Sequence, residues 1–210
     1  MANATLDPIM KEAIRTWRKP LTPSDSYRLR NIPTRVRGWK AEILSTGRVK
    51  RFLPVITSQL EAVVYRGCTY HADGSIKDFT SKENLGVISR RVVTTAGVAK
   101  IATQWSTSSA TTFNWHESGT GSTAENITDT AMGTVITITR PAGTQSTPSS
   151  GAYRTVATIN YTSTNAVTEQ GVFDAVTTGV LLDRSVFSAI NVVNLDSINF
   201  TYTITFASGG

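Results

Sequence analysis

The sequence predicts a mainly β protein: a C-terminal antiparallel β-sandwich, jelly-roll-like, preceded by an extended basic arm. Three observations carry this reading. In the back half apolar residues alternate with threonine, as Phe200, Tyr202, Ile204 and Phe206 do with Thr201, Thr203 and Thr205. A period of two places one face in a core and leaves the other to solvent. In the front half Pro20, Pro23, Pro33 and Pro54 interrupt any regular element. Charge is segregated as well: 18 of the 21 Lys and Arg lie at or before Lys100, whereas the 15 acidic residues divide 8 and 7. The expected organisation is a basic arm over residues 1–57, a connecting hairpin and helix over 58–110, and a β-sandwich over 111–210.

The first element reads as a short helix. Asp7 suits the cap, Pro8 the first helical position. Ile9, Met10, Ala13, Ile14 and Trp17 then fall on one stripe. Residues 20–55 follow as the arm. Here Arg28, Arg30, Arg35, Arg37, Lys40, Arg48, Lys50 and Arg51 are interleaved with Tyr27, Trp39 and Phe52. Such a mixture suits a protein interface, where Arg, Trp and Tyr are favoured. It also suits phosphate pairing and base stacking on nucleic acid. No zinc-finger spacing, RNP-like strand or Gly-x-x-Gly clamp supports the second reading. The expected interface residues are therefore Trp17, Tyr27, Arg28, Arg30, Arg35, Arg37, Trp39, Lys40, Arg48 and Arg51.

Leu60–Tyr65 reads as a strand, and Asp73-Gly74 as the turn of a hairpin between Thr69–Tyr70 and Ile76–Phe79. Gly86–Val93 reads as a further strand. Thr94 or Thr95 then caps a helix running to about Trp105, with Val98, Ile101, Ala102 and Trp105 as its apolar face. Beyond Phe113 the pattern is all β. Ile136 and Ile138 alternate with Thr137 and Thr139, and Tyr153, Thr155, Ala157, Ile159 and Tyr161 share a face. Turns are expected at Glu117–Ser122, Pro141–Gly151, Thr162–Asn165, Thr177–Gly179 and Asn194–Ser197.

Composition narrows the chemistry. A single cysteine, Cys68, excludes an intramolecular disulfide framework. No apolar run approaches the roughly 18 residues of a membrane span, and Met1–Met10 lacks the pattern of a secretory signal. Cys68 and His71 have a spacing compatible with metal binding, but two ligands do not make a site. His116-Glu117-Ser118-Gly119-Thr120-Gly121 holds a base, an acid and a hydroxyl, yet it lacks a nucleophile elbow, a dinucleotide loop and a Walker lysine. It reads as a turn of small residues. Glu169, Asp174 and Asp183 are carboxylates of the kind that flank a glycosidic bond, and nothing in the sequence pairs them. Asp183-Arg184 reads as a polar step in a strand ending at Val186 and Phe187. No catalytic residue, cofactor or metal is expected.

Several segments taken together resemble a known group. They are Gly86–Gly97, His116–Gly121, Tyr153–Ile159, Thr168–Phe173, Leu181–Asn191 and Tyr202–Gly210. The set is similar to small structural proteins of tailed-bacteriophage virions, over about residues 86–210. The resemblance implies a virion component that coats or fastens the particle, with no catalytic residues to transfer. Joined to the basic arm, it leads to the expectation of a capsid decoration, or cement, protein. Its expected partners are the major capsid protein and further copies of itself, as a dimer or trimer. Nucleic acid and membrane are not expected partners. The expected location is the capsid surface, with the host cytoplasm during assembly. Alternatives are a neck, adaptor or tail protein, or a carbohydrate-binding fibre module using Tyr153, Tyr161, Trp105 and Trp115.

Overall fold

The computed structural model describes residues 56–90, 92–107 and 111–206, together with the backbone of three short strands between 35 and 54. The chain divides into two compact units, Met1–Val55 with Ala207–Gly210, and Ile56–Phe206.

In the first unit, β1 (Arg35–Val36), β2 (Trp39–Ile43) and β3 (Val49–Pro54) form an antiparallel meander in that order. The prolines do not keep this stretch unpaired. Pro54 is the last residue of an edge strand, a position at which a missing N–H is tolerated. The helix expected at Asp7–Lys19 lies outside the described residues.

The second unit contains β4 (Thr57–Arg66), β5 (Thr69–Tyr70), β6 (Ile76–Asp78), β7 (Ser81–Ser89) and β8 (Val92–Val93). Helix α1 (Thr95–Thr107) follows, and then β9 (Trp115–Gly119), β10 (Thr144–Ser146), β11 (Ala152–Asn160), β12 (Asn165–Phe173), β13 (Leu181–Val192) and β14 (Ser197–Thr205). One antiparallel sheet has the order β10-β11-β14-β4-β7, and a second the order β8-β13-β12-β9. The short hairpin β5-β6 stands apart, with Gly74 at φ 82° in its turn. Only a residue without Cβ takes that angle at no steric cost.

Strict alternation builds the core. Leu60, Ala62 and Val64 of β4 and Phe200, Tyr202 and Ile204 of β14 are buried, while their neighbours face outward. They share one cluster with Val167 and Val172 of β12 and Leu182, Ile190 and Val192 of β13, so both sheets supply the same core. Each such large side chain contributes about 1.5–3 kcal/mol by leaving water. The expected common face of β11 is also present, with Thr155, Ala157 and Ile159 buried and Tyr161 just beyond the strand.

Five local expectations need correction. Gly86–Val93 is two strands, because β7 pairs with β4 whereas β8 pairs with β13 in the other sheet. Glu117–Ser122 is not a turn, since β9 runs to Gly119 along β12. Ile136–Thr139 is not a strand: Val135 makes one isolated bridge to Gly119, and Ile138 N donates back to the Ile136 carbonyl at 2.7 Å. Pro141–Gly151 includes a strand, β10, before its turn. β13 does not stop at Phe187 but continues to Val192.

Helix α1 begins as expected. The Thr94 hydroxyl accepts the Gly97 amide at 3.0 Å and donates to the Leu181 carbonyl at 2.5 Å. The buried face is another matter. Gly97 is the buried residue of the helix, and a Cβ there would lie 2.7 Å from Leu182 Cα. The helix therefore rests on β13 through a glycine, by close backbone approach. Ile101 packs partly against the core, while Val98, Ala102 and Trp105 turn outward.

Candidate functional site

Of the ten interface residues expected from sequence, Arg35, Trp39, Lys40 and Arg51 fall in the first meander. Its register sets Arg35 opposite Lys40, Trp39 opposite Val36 and Pro54, and Arg51 opposite Glu42. Trp17, Tyr27, Arg28, Arg30, Arg37 and Arg48 lie outside the described residues.

The back half contributes three arginines beyond Lys100, and each is tied inside the second unit. Arg184 is buried. Its Nε donates to Glu169 at 2.7 Å, Nη1 to Asp129 at 3.0 Å and Nη2 to the Thr123 carbonyl at 3.0 Å. The Glu169 carboxylate also accepts the amides of Gly121, Gly133 and Thr134, at 2.9, 3.0 and 2.7 Å. A Cβ at Gly121 would collide with that carboxylate. Burial alone raises the pKa of Glu169. The amides and the guanidinium outweigh it and hold the carboxyl below its usual value. Together these bonds fasten the long connection between β9 and β10 to β12 and β13.

Arg140 forks onto Glu117 with two 3.0 Å hydrogen bonds. It donates to the Ala175 and Thr178 carbonyls and stacks 3.5 Å above the Phe173 ring. Arg154 Nε donates to Thr203 across the β11–β14 pair at 3.2 Å. A guanidinium committed to several fixed acceptors is held in place by each of them.

The residues that invited a catalytic reading have separate duties. His116 is fully buried in β9. Gln170 Nε2 donates to the Gly171 carbonyl and lies 3.0 Å from His116 Nδ1, and Thr155 Oγ1 lies 3.1 Å from Nε2. An amide nitrogen can only donate, so Nδ1 accepts and Nε2 carries the proton. Desolvation pushes the His116 pKa down to about 3, so the ring stays neutral.

The three carboxylates likewise part company. Glu169 belongs to the Arg184 centre. Asp174 accepts the Val180 amide and pairs with Lys100 at 3.4 Å. Asp183 is buried in the core, where it accepts from Ser185 and lies 3.5 Å from the Tyr202 hydroxyl. Burial pushes its pKa up to about 7; hydrogen bonds from Ser58, Ser185 and Tyr202 oppose the rise and the charge of Glu125 adds to it.

Cys68 is buried, whereas His71 is exposed in the β5-β6 turn, its amide donating to the Ser75 carbonyl. Among the described residues no cluster of three or more His, Cys, Asp or Glu could hold a metal ion.

Of the four aromatic residues considered for stacking on sugars, Tyr161 is buried, Tyr153 donates to the Phe113 carbonyl at 2.9 Å and Trp115 packs on a second small core cluster. Trp105 is the exception. It is 78% exposed on α1, and Val98 (40%) and Ala102 are exposed beside it. In the sequence a helical apolar stripe looks the same whether a core or a partner covers it. Gly97, on a different side of the helix, was the available signal.

Comparison with protein-family models, curated proteins and solved structures gives no match.

Proposed function

We propose that this protein is a structural component of a bacteriophage virion. In this reading it is a capsid decoration protein that binds the outer surface of the major capsid lattice and stabilises the head. The second unit is read as a jelly-roll-like β-sandwich, because the connections β7–β8, β9–β10, β11–β12 and β13–β14 each pass from one sheet to the other. Copies of the protein associate on the particle as a dimer or trimer.

The observation that carries the proposal is where the positive charge lies. Residues 1–55 hold 12 basic and 4 acidic residues, and Ile56–Phe206 hold 9 and 11. The three arginines beyond Lys100 are spent on internal partners, and acidic residues outnumber basic ones in Ile56–Phe206, so the second unit offers an acidic surface less cationic grip than the front. Attachment therefore falls to the front, where Arg and aromatic residues alternate. The second unit supplies a folded body whose loops are fastened by buried ion pairs. Weak contacts repeated over linked copies raise the effective concentration at each next site. The resemblance over residues 86–210 points the same way.

A cryo-EM map of particles carrying this protein tests the proposal. Copies arrayed over the capsid lattice, with the basic front against the coat, are expected. Copies confined to a ring at the neck or tail would overturn the decoration role.

A further inference from the structure

We infer that one water molecule is bound inside the second unit, between its two sheets, by Ser118 Oγ, Tyr161 Oη and Gln170 Oε1. The site belongs to the folded body alone and is independent of the capsid reading.

The register of the second sheet puts polar side chains on its inner face. Ser118 of β9, Gln170 of β12 and Ser185 of β13 lie in one row across the three strands, and His116, Val172 and Asp183 lie in the next. Residues opposite each other in an antiparallel ladder share a face. Val172 belongs to the core cluster, so both rows point inward. A buried donor or acceptor is costly unless it finds a partner. Most of these groups do. Ser185 donates to Asp183 at 2.9 Å, and Thr155 Oγ1 of the facing sheet lies 3.1 Å from His116 Nε2. Gln170 Nε2 is engaged by His116 Nδ1 and the Gly171 carbonyl, both at 3.0 Å.

Three oxygens of this region are left over. Ser118 Oγ, Tyr161 Oη and Gln170 Oε1 are buried and have no hydrogen-bond partner among the described residues. Each of the three residues is 3% exposed or less, so bulk solvent does not serve them. They also lie together. Ser118 stands opposite Gln170 in the β9–β12 register. Burial pushes the Tyr161 pKa up, and the Ser118 hydroxyl is near enough to oppose that rise. The two hydroxyls are thus neighbours that stop short of a direct bond, the spacing at which a water bridges.

The count of donors and acceptors selects the occupant. Each hydroxyl brings one O–H, and an amide oxygen only accepts. A water accepts from Tyr161 and Ser118 and donates to Gln170 Oε1, making about three bonds, the usual number for an internal water. A direct Tyr161–Ser118 bond would leave Gln170 Oε1 bare. An ion suits the site less well, because none of the three oxygens is charged and a buried ion needs a counter-charge. Ser118 and Gln170 come from one sheet, and Tyr161 follows β11 of the other. The water is therefore a polar bridge across the sandwich.

The test is a crystal structure of the full chain at a resolution that shows ordered water, joined to magnetic relaxation dispersion of water oxygen, which counts long-lived internal waters. Density for one water ~2.5–3.0 Å from all three oxygens is expected. Ser118→Val, whose methyl groups fill the site, is expected to lose that density and one long-lived water. Tyr161→Phe keeps the ring and its packing, and is expected to shorten the residence time of the water by about tenfold or more, the scale of one lost hydrogen bond. Near-ultraviolet circular dichroism checks that both variants fold. Should Ser118→Val fail to fold, the wild-type density and Tyr161→Phe decide. Three outcomes would overturn the inference: Tyr161 Oη bonded directly to Ser118 Oγ with no density between the three oxygens, an ion or a larger molecule at the site, or a dispersion unchanged in the folded variants.

Discussion

Glu169 Oε2 and Arg184 Nε meet at 2.7 Å between neighbouring strands β12 and β13, both side chains buried. Removing one member strands the other charge in the interior. Glu169→Ala is expected to cost about 3–5 kcal/mol, as does breaking other buried pairs from one side. Glu169→Met with Arg184→Met should cost less than the two single changes added together. It should still fall short of wild type, because the amides of Gly121, Gly133 and Thr134 lose their acceptor. Urea midpoints for the four proteins give the coupling, and strict additivity would contradict it.

His116 and Asp183 give the stability profile two opposing slopes. Unfolded, Asp183 titrates near 3.8 and His116 near 6.5; folded, they titrate near 7 and 3. Between about pH 4 and 6.5 the folded state keeps an Asp183 proton that the unfolded chain has lost. That contribution to stability is present in acid and is lost as pH rises towards 7. The unfolded chain meanwhile binds a His116 proton that the folded state refuses. This contribution is present above about 6.5 and is lost as pH falls towards 3. The two offset each other. Asp183→Asn removes one of them, so its stability should fall steadily on acidification from about pH 6.5. A profile parallel to that of the wild type would refute the assignment.

Gly97 is where α1 touches β13. Alanine elsewhere in a helix gains about 1 kcal/mol over glycine. Here its Cβ would sit 2.7 Å from Leu182 Cα, a backbone atom that cannot rotate aside. Gly97→Ala is therefore expected to be destabilising, by about 1–3 kcal/mol. A melting temperature equal to or above that of the wild type would show that the helix can lift away freely.

Thr94 holds the start of the same helix through two bonds made by one hydroxyl. Thr94→Ala should cost about 1–2 kcal/mol, and Thr94→Ser, which keeps the hydroxyl, should recover most of it. Thermal unfolding of the pair separates lost capping from lost methyl packing.

The proposed attachment through the basic front makes a sharper demand. Arg35→Ala, Arg37→Ala and Trp39→Ala combined should weaken co-sedimentation with capsid lattice by about 2–4 kcal/mol, the scale of interface anchors. The buried core of Ile56–Phe206 should remain intact by near-ultraviolet circular dichroism. Unchanged co-sedimentation would remove the front from the attachment role.

Much of the β architecture follows from local pattern. The alternation in β11 and β14 was legible because each of these strands buries one face only, which forces a period of two, and β4 was legible as a strand from its short apolar run Leu60–Tyr65. The Asp73-Gly74 turn and the Thr94 cap were legible because both depend on the conformational needs of one or two residues. Where two faces are buried, the pattern blurs. Residues 181–185 are all buried, the side chains of one face in the core and Arg184 under the connection after β9. No periodicity marks that stretch, whereas the continuation of β13 to Val192, with Ile190 and Val192 buried about an exposed Asn191, does alternate and was overlooked. His116–Gly119 looked like a turn because its residues are small or polar. Their hydrogen-bond partners, Gln170 and Thr155, stand 54 and 39 residues away.

By itself, the sequence determined the class of fold, the placement of charge and the residues that start and cap elements, since each rests on near neighbours in the chain. Only the tertiary structure decided which polar groups are spent internally and which apolar stripe stays outside. Glu169 finds Arg184, and Gly97 rather than Trp105 meets β13, through contacts that exist only once distant strands lie side by side.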